Sequence, residues 1–185
     1  KLRPDWAAVH VNIGASTYAL GQYKESVDAF RQAIKIDDGN ADTQYSLGLA
    51  LGKLTRTDEE ILAYRRAISI KPDHAAAIEK LGLAQFKLKR FAEAAATFES
   101  LKIYRPDAKT YSNLGESLLE AGKVEESLEP LSTALSYNQD LEKARYNLGR
   151  AYIKLGKTDL AQSQYEILKN AKSDWADRLF VLLNP

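Results

Sequence analysis

Proton transfer and metal ligation fall first to histidine, and this chain has two, His10 and His74. A metal-binding helix presents such a pair at i, i+4, and these two do not stand at that spacing. There is no cysteine, so thiolate nucleophiles, disulfides and zinc–thiolate sites are excluded. The carboxylate pairs Asp58/Glu59 and Glu125/Glu126 invite an acid–base reading. Both stand at predicted helix starts, where negative charge complements the helix dipole. The glycines of the recurring Leu-Gly core fall inside helical patterns and not in a strand-to-helix turn, so no phosphate-cradling loop is expected. No catalytic residue, metal or cofactor is expected from these residues.

Composition narrows the classes further. The 185 residues are 45% hydrophobic and 28% charged, as in a folded soluble domain. A formal net charge of +1 offers no broad field for nucleic acid or an anionic membrane. No apolar run approaches the roughly 18 residues that a membrane span needs, so no membrane insertion is expected. Nothing in the sequence sets the compartment; the cytoplasm is the default expectation. Lys1–Asp5, KLRPD, reads as the tail of a preceding unit and predicts that the parent protein continues upstream.

The elements that would position any site follow from a period. Gly14, Gly48, Gly82, Gly115 and Gly149 are spaced by 34, 34, 33 and 34 residues. Pro4, Asp38, Pro72 and Pro106 form a second series, and Phe30, Tyr64, Phe98, Leu131 and Tyr165 a third. Three series with one period define a repeat. Each unit holds two helical patterns of about 14 residues joined by two or three residues, which predicts antiparallel pairs. In the last unit Ala144, Leu148, Ala151, Tyr152 and Leu155 share one face; Gly156-Lys157 break the pattern, and Thr158 is the expected cap of the next helix. Pro72 and Pro106 end second helices, whereas Pro130 lies inside one and predicts a lost hydrogen bond and a bend. Each mid-helix glycine costs about 1 kcal/mol relative to Ala. Close approach of the second helix would offset that, since the facing positions Ser26, Ala94, Ser127 and Ala161 are small. Glu60 is the exception. With Thr57 as N-cap it predicts a capping box, the carboxylate turned to the helix start and away from the seam.

Leu47-Gly48, Tyr64, Ala67 and Pro72, with Leu81-Gly82, Phe91, Ala94, Phe98 and Pro106, resemble the tetratricopeptide repeat (TPR). The resemblance covers essentially the whole chain. It implies an all-α, right-handed superhelical solenoid of antiparallel helix pairs. The expected boundaries are 1–5 for the preceding tail, 6–40, 41–74, 75–107, 108–141 and 142–173 for five repeats, and 174–185 for a capping helix. Ser173 or Asp174 is its expected N-cap, and Trp175, Leu179, Leu182 and Leu183 its expected packing face. Trp175 is read as cap packing and not as a binding aromatic. The family's early large position carries His10, Gln44, Ile78, Tyr111 and Arg145.

The resemblance further implies a concave groove lined by the first helices. Residues spared from packing are expected there. From the first two repeats these are Asn12, Ala15 and Tyr18, then Tyr45, Leu49 and Lys53. The third supplies Lys80, Leu83, Phe86 and Lys87, and the fourth Lys109, Asn113, Glu116 and Leu119. The fifth supplies Lys143, Tyr146, Asn147, Arg150 and Lys154. Amides suit a peptide main chain, apolar groups its side chains and cations its carboxylates.

Asn12, Asn113 and Asn147 share one repeat phase, with Ser46 and Lys80 between them. That is similar to the asparagine ladder of the superhelical array in the nucleocytoplasmic O-linked N-acetylglucosamine transferase, at three rungs of five. A carboxylate clamp for chaperone C-terminal tails would fall on Glu79, Leu83, Asn113, Lys143 and Asn147, where two of five match and Glu79 repels, so that partner is not expected. The lysines make the groove lean basic, which favours an acidic protein or peptide. The function expected is a non-catalytic interaction scaffold binding a peptide or helical segment. The expected state is a monomer or weak self-association; the alternative functions are a self-association module through the uncapped N-terminal end and the substrate-recruiting arm of a larger enzyme. An engineered array would also fit the missing Met, although Glu60, Pro130 and Thr55-Arg56 are irregular in the way of natural sequences.

Overall fold

The structure, a computed structural model, describes residues 4–184. These form eleven helices, and no strand occurs among them. A first compact unit ends at Leu88 and a second begins at Lys89. The first holds α1 (Pro4–Ala19), α2 (Tyr23–Ile36), α3 (Ala41–Lys53), α4 (Thr57–Ile70) and α5 (Ala75–Lys87). The second holds α6 (Phe91–Tyr104), α7 (Ala108–Glu120), α8 (Val124–Tyr137), α9 (Glu142–Lys154), α10 (Thr158–Asn170) and α11 (Asp174–Leu183). Of the expected N-terminal tail, Lys1–Arg3 lie outside the described residues, and α1 already begins at Pro4.

Within each unit consecutive helices pack, odd-numbered ones as the first helix of a repeat and even-numbered ones as the second. The turn inside each repeat uses one device. Seven residues after the repeat glycine the backbone turns left-handed, at Gly21 (φ 77°), Thr55 (58°), Lys89 (59°), Gly122 (81°) and Gly156 (69°). Second helices α2, α4, α6, α8 and α10 then start at Gln22, Arg56, Arg90, Lys123 and Lys157, none of which makes a side-chain cap. This corrects the two expected second-helix caps. Thr158 and Thr57 are first helical residues, and Lys157 and Arg56 hold the cap positions. The left-handed residue instead turns the next N–H back onto the end of the first helix, as in Arg56 N–H to Leu51 O at 3.1 Å and Lys157 N–H to Tyr152 O at 2.9 Å. Side-chain caps appear on first helices instead: Asn40 accepts from Thr43 N, His74 Nδ1 from Ala77 N and Asp107 from Thr110 N. Pro130 is buried inside α8, which runs unbroken past it.

The repeat glycines have a different partner from the one expected. A Cβ on Gly14 would stand 2.7 Å from the Phe30 ring, and one on Gly115 would stand 2.5 Å from Leu131 Cγ. Gly48 abuts the Tyr64 ring in the same way. The notch therefore receives the third repeat series, sixteen residues on, rather than simply a small residue. Close approach is real: Ser26 Oγ donates to the Gly14 carbonyl at 2.8 Å. Gly149 breaks the rule, because its notch is filled by Leu179 of α11, which is fully buried.

Leu179, Ala176 and Leu168 form the core under α11, flanked by Trp175, Tyr146 and Leu183. Trp175 packs on Tyr146 at 4.7 Å between ring centroids, as a packing residue should. Ser173 is the N-cap, accepting from Trp175 N at 3.2 Å. Leu182, expected on the packing face, is exposed, and Ala176 takes that role.

Candidate functional site

In the first unit the first-helix face contains a cavity of about 370 Å³. Leu49, Gly52 and Lys53 of α3, Glu60 and Tyr64 of α4, and Lys80, Leu83 and Lys87 of α5 line it, with Tyr18 of α1 at one side. Helical spacing brings these together: Leu49 and Lys53 are one turn apart, and Lys80, Leu83 and Lys87 lie on one stripe of α5. Glu60 is the residue that sequence reasoning misplaced. Its carboxylate does not turn to the start of α4. It enters the α3–α4 seam, 2.6 Å from where a Gly52 Cβ would stand, and accepts a hydrogen bond from the Tyr64 hydroxyl at 3.2 Å. The space exists because Gly52 stands at a phase where the other repeats carry Tyr18, Phe86, Leu119 and Ile153. Small and large have changed sides of the seam. Burial raises the Glu60 carboxyl above its ordinary range, and the Tyr64 hydroxyl, Lys87 and Lys80 offset that only in part. The Tyr64 hydroxyl is held protonated well above its usual range, first by burial and then by Glu60.

The corresponding face of the second unit has a different electrostatic character. Lys143 Nζ bridges to Glu116 at 2.6 Å, and Arg150 Nη2 to Glu120 at 2.8 Å, both between α9 and α7. Arg150 also donates to Asn147 Oδ1 at 3.0 Å and lies over the Tyr146 ring. Asn147 is only 1% exposed, and its Nδ2 has no hydrogen-bond partner among the described residues. Two of the cations behind the expected basic lean are thus each held by a glutamate of α7. In the cavity of the first unit, Lys53, Lys80 and Lys87 carry no ion pair within 4 Å among the described residues.

TPR-repeat profiles match residues 14–54 and 115–156, and tetratricopeptide-repeat profiles match 41–74, 63–109 and 143–171. The chain belongs to the tetratricopeptide repeat family. Solved structures agree on this TPR fold. MamA (residues 41 to the end) from Desulfovibrio magneticus RS-1 is 18% identical, covers 93% of this chain and 97% of its own, and superposes with a TM-score of 0.83. A thermophilic TPR protein of Thermus thermophilus is 21% identical over 96% of this chain and 98% of its own, with a TM-score of 0.61. Pseudomonas aeruginosa pilF is 18% identical over 92% of this chain and 78% of its own, with a TM-score of 0.69. No curated protein matches the chain by sequence. TPR folds of this kind are protein-interaction scaffolds, and a protein partner is the general function of this one.

The remaining expected TPR groove residues divide by burial. Asn12, Lys53, Leu83, Lys87, Lys109 and Lys154 are exposed on first helices, and Tyr45, Phe86 and Asn113 are half-buried. Leu119 is 1% exposed and belongs to the packed seam, which removes it from any partner surface. Tyr45 packs against Tyr64 and against His74, whose Nε2 faces Asp42 at 3.1 Å. His74 is therefore a helix cap. On the second-helix side of the second unit, a cavity of about 440 Å³ lies among Ala92, Ala95, Leu114, Leu118 and Pro130, a feature that repeat reasoning did not foresee. Among the described residues no cluster of His, Asp or Glu could hold a metal ion, and no helix is long and apolar enough to cross a membrane.

Proposed function

We propose that the chain is a non-catalytic scaffold that binds a peptide or helical segment of a protein partner on the first-helix faces. The observation that carries this reading is the cavity lined by Tyr18, Leu49, Lys53, Leu83 and Lys87, which joins apolar side chains to donors that packing does not use. In the second unit, Tyr146, Lys143 and Asn113 are the first-helix residues that keep partial exposure and offer the same mixture of apolar groups and donors. A substitution in each unit tests the reading. Leu83→Asp and Lys143→Glu should each weaken capture of a partner segment while leaving the helical circular dichroism signal intact. Unchanged capture by both variants would refute it.

A second reading, self-association through α1, has its own observation. Val9 and Ile13 are 55% and 45% exposed, with Trp6 beside them. One period on, the positions equivalent to Val9 are buried as Thr43, Ala77, Thr110 and Ala144, and those equivalent to Ile13 as Leu47, Leu81, Leu114 and Leu148. A second helix packs there in later repeats. Light scattering across a concentration series separates the two readings: a strict monomer removes self-association.

A further inference from the structure

The first-helix faces of the two units pair their charges differently. In the second unit Lys143 and Arg150 are each held by a glutamate of α7. In the first unit three lysines, Lys53, Lys80 and Lys87, line one cavity that contains a single carboxylate, Glu60, and Lys80 and Lys87 act on it electrostatically. Glu60 is already engaged by Tyr64 and sits back in the α3–α4 seam against Gly52. Three cations against one recessed anion leave the cavity net positive, with Leu49 and Leu83 as apolar surface beside the charges.

Resting on the segment-binding reading above, we infer that this cavity is a receptor for one acidic side chain of the partner segment, an Asp or Glu adjacent to a large apolar residue. The carboxylate neutralises the Lys80 and Lys87 pair on α5, with Lys53 closing from α3, and the apolar neighbour lies on Leu49 and Leu83. One feature favours a carboxylate over a phosphoryl dianion: Glu60 at the back repels a dianion more than a monoanion. Glu60 is then a selectivity element: it limits the cavity to one negative charge.

A random dodecapeptide array probed with the whole chain, wild type and variant, tests this. The expected hits carry Asp or Glu next to Leu, Ile or Phe. Their affinity should fall about ten-fold for K80Q/K87Q and rise roughly three-fold for E60Q. It should stay unchanged for K24Q, an exposed lysine of α2 that does not line the cavity. Each hit is resynthesised with Asn or Gln for the acid, with an amidated terminus, and with phosphoserine for the acid. Loss on the amide substitution, with no effect of terminal amidation, supports a side-chain carboxylate. Hits that tolerate the amide, or that ignore K80Q/K87Q, overturn the cavity assignment and leave segment binding standing. Hits that need a free C-terminus, or that prefer phosphoserine, overturn the choice of an acidic side chain. An array with no hit above blank overturns segment binding and this inference together.

Discussion

Glu60 shows how one residue can be placed by a neighbour eight positions earlier. A carboxylate in a packed seam is unfavourable, and its raised protonation range states this directly, since burial outweighs the help from Tyr64, Lys87 and Lys80. A carboxyl whose folded range lies above its unfolded one contributes stability that is complete below the unfolded range and lost as pH rises through the folded one. Glu60→Gln should therefore stabilise the chain at neutral pH, by no more than about 1 kcal/mol because the group is half in solvent. The advantage should fade as acid protonates Glu60, which thermal melts at several pH values will read. Gly115 gives the opposite lesson. An added methyl would meet Leu131 Cγ at 2.5 Å and its backbone nitrogen at 3.2 Å, and the backbone cannot step aside. Gly115→Ala should cost about 1–3 kcal/mol in denaturant unfolding.

At the scale of elements, the helix-pair turn is set by backbone conformation more than by capping. Five second helices begin without a side-chain cap, each after a left-handed residue at one repeat phase. Glycine holds that conformation freely in three repeats, while Thr55 and Lys89 hold it with a side chain, and a β-branched Thr there is strained. Thr55→Gly should raise the melting temperature by about 2 °C, and Gly122→Ala should lower it by a similar amount. No change in either would mean that the turn carries no strain. The C-terminal element departs from the period in a useful way. α11 places Leu179 in the Gly149 notch and so covers apolar surface that would otherwise face water.

At the scale of the molecule, stability comes from helix pairs buried against their neighbours, with no metal-donor cluster among the described residues. Treatment with EDTA should leave both the helical signal and the melting temperature unchanged; a fall would reveal a bound ion. Charge follows the same neighbour-by-neighbour logic. A formal charge of +1 conceals two cations bridged to glutamates in one unit and three lysines around a single carboxylate in the other. Binding through the cluster should weaken as salt rises, since exposed ammonium groups are screened within a Debye length of about 10 Å at 0.1 M.

The 34-residue period by itself determined the helix pairs, their short connections, and the role of Gly14, Gly48 and Gly115 as contact points. Period and helical phase suffice for these because each is a local property repeated several times. The Gly52 and Glu60 exchange was also written in the sequence, as two departures at facing phases, but only as a pair. Taken alone, Glu60 reads as a capping residue. Tertiary structure decided what depends on distances between helices. Lys143 and Arg150 spend their charge on Glu116 and Glu120, and Asn147 and Leu119 are buried. Leu179 rather than Tyr165 fills the last notch, and Lys53, Lys80 and Lys87 share one cavity. A side chain's phase on its own helix says which way it points, whereas its partner is set by the neighbouring helix, and that information is not local.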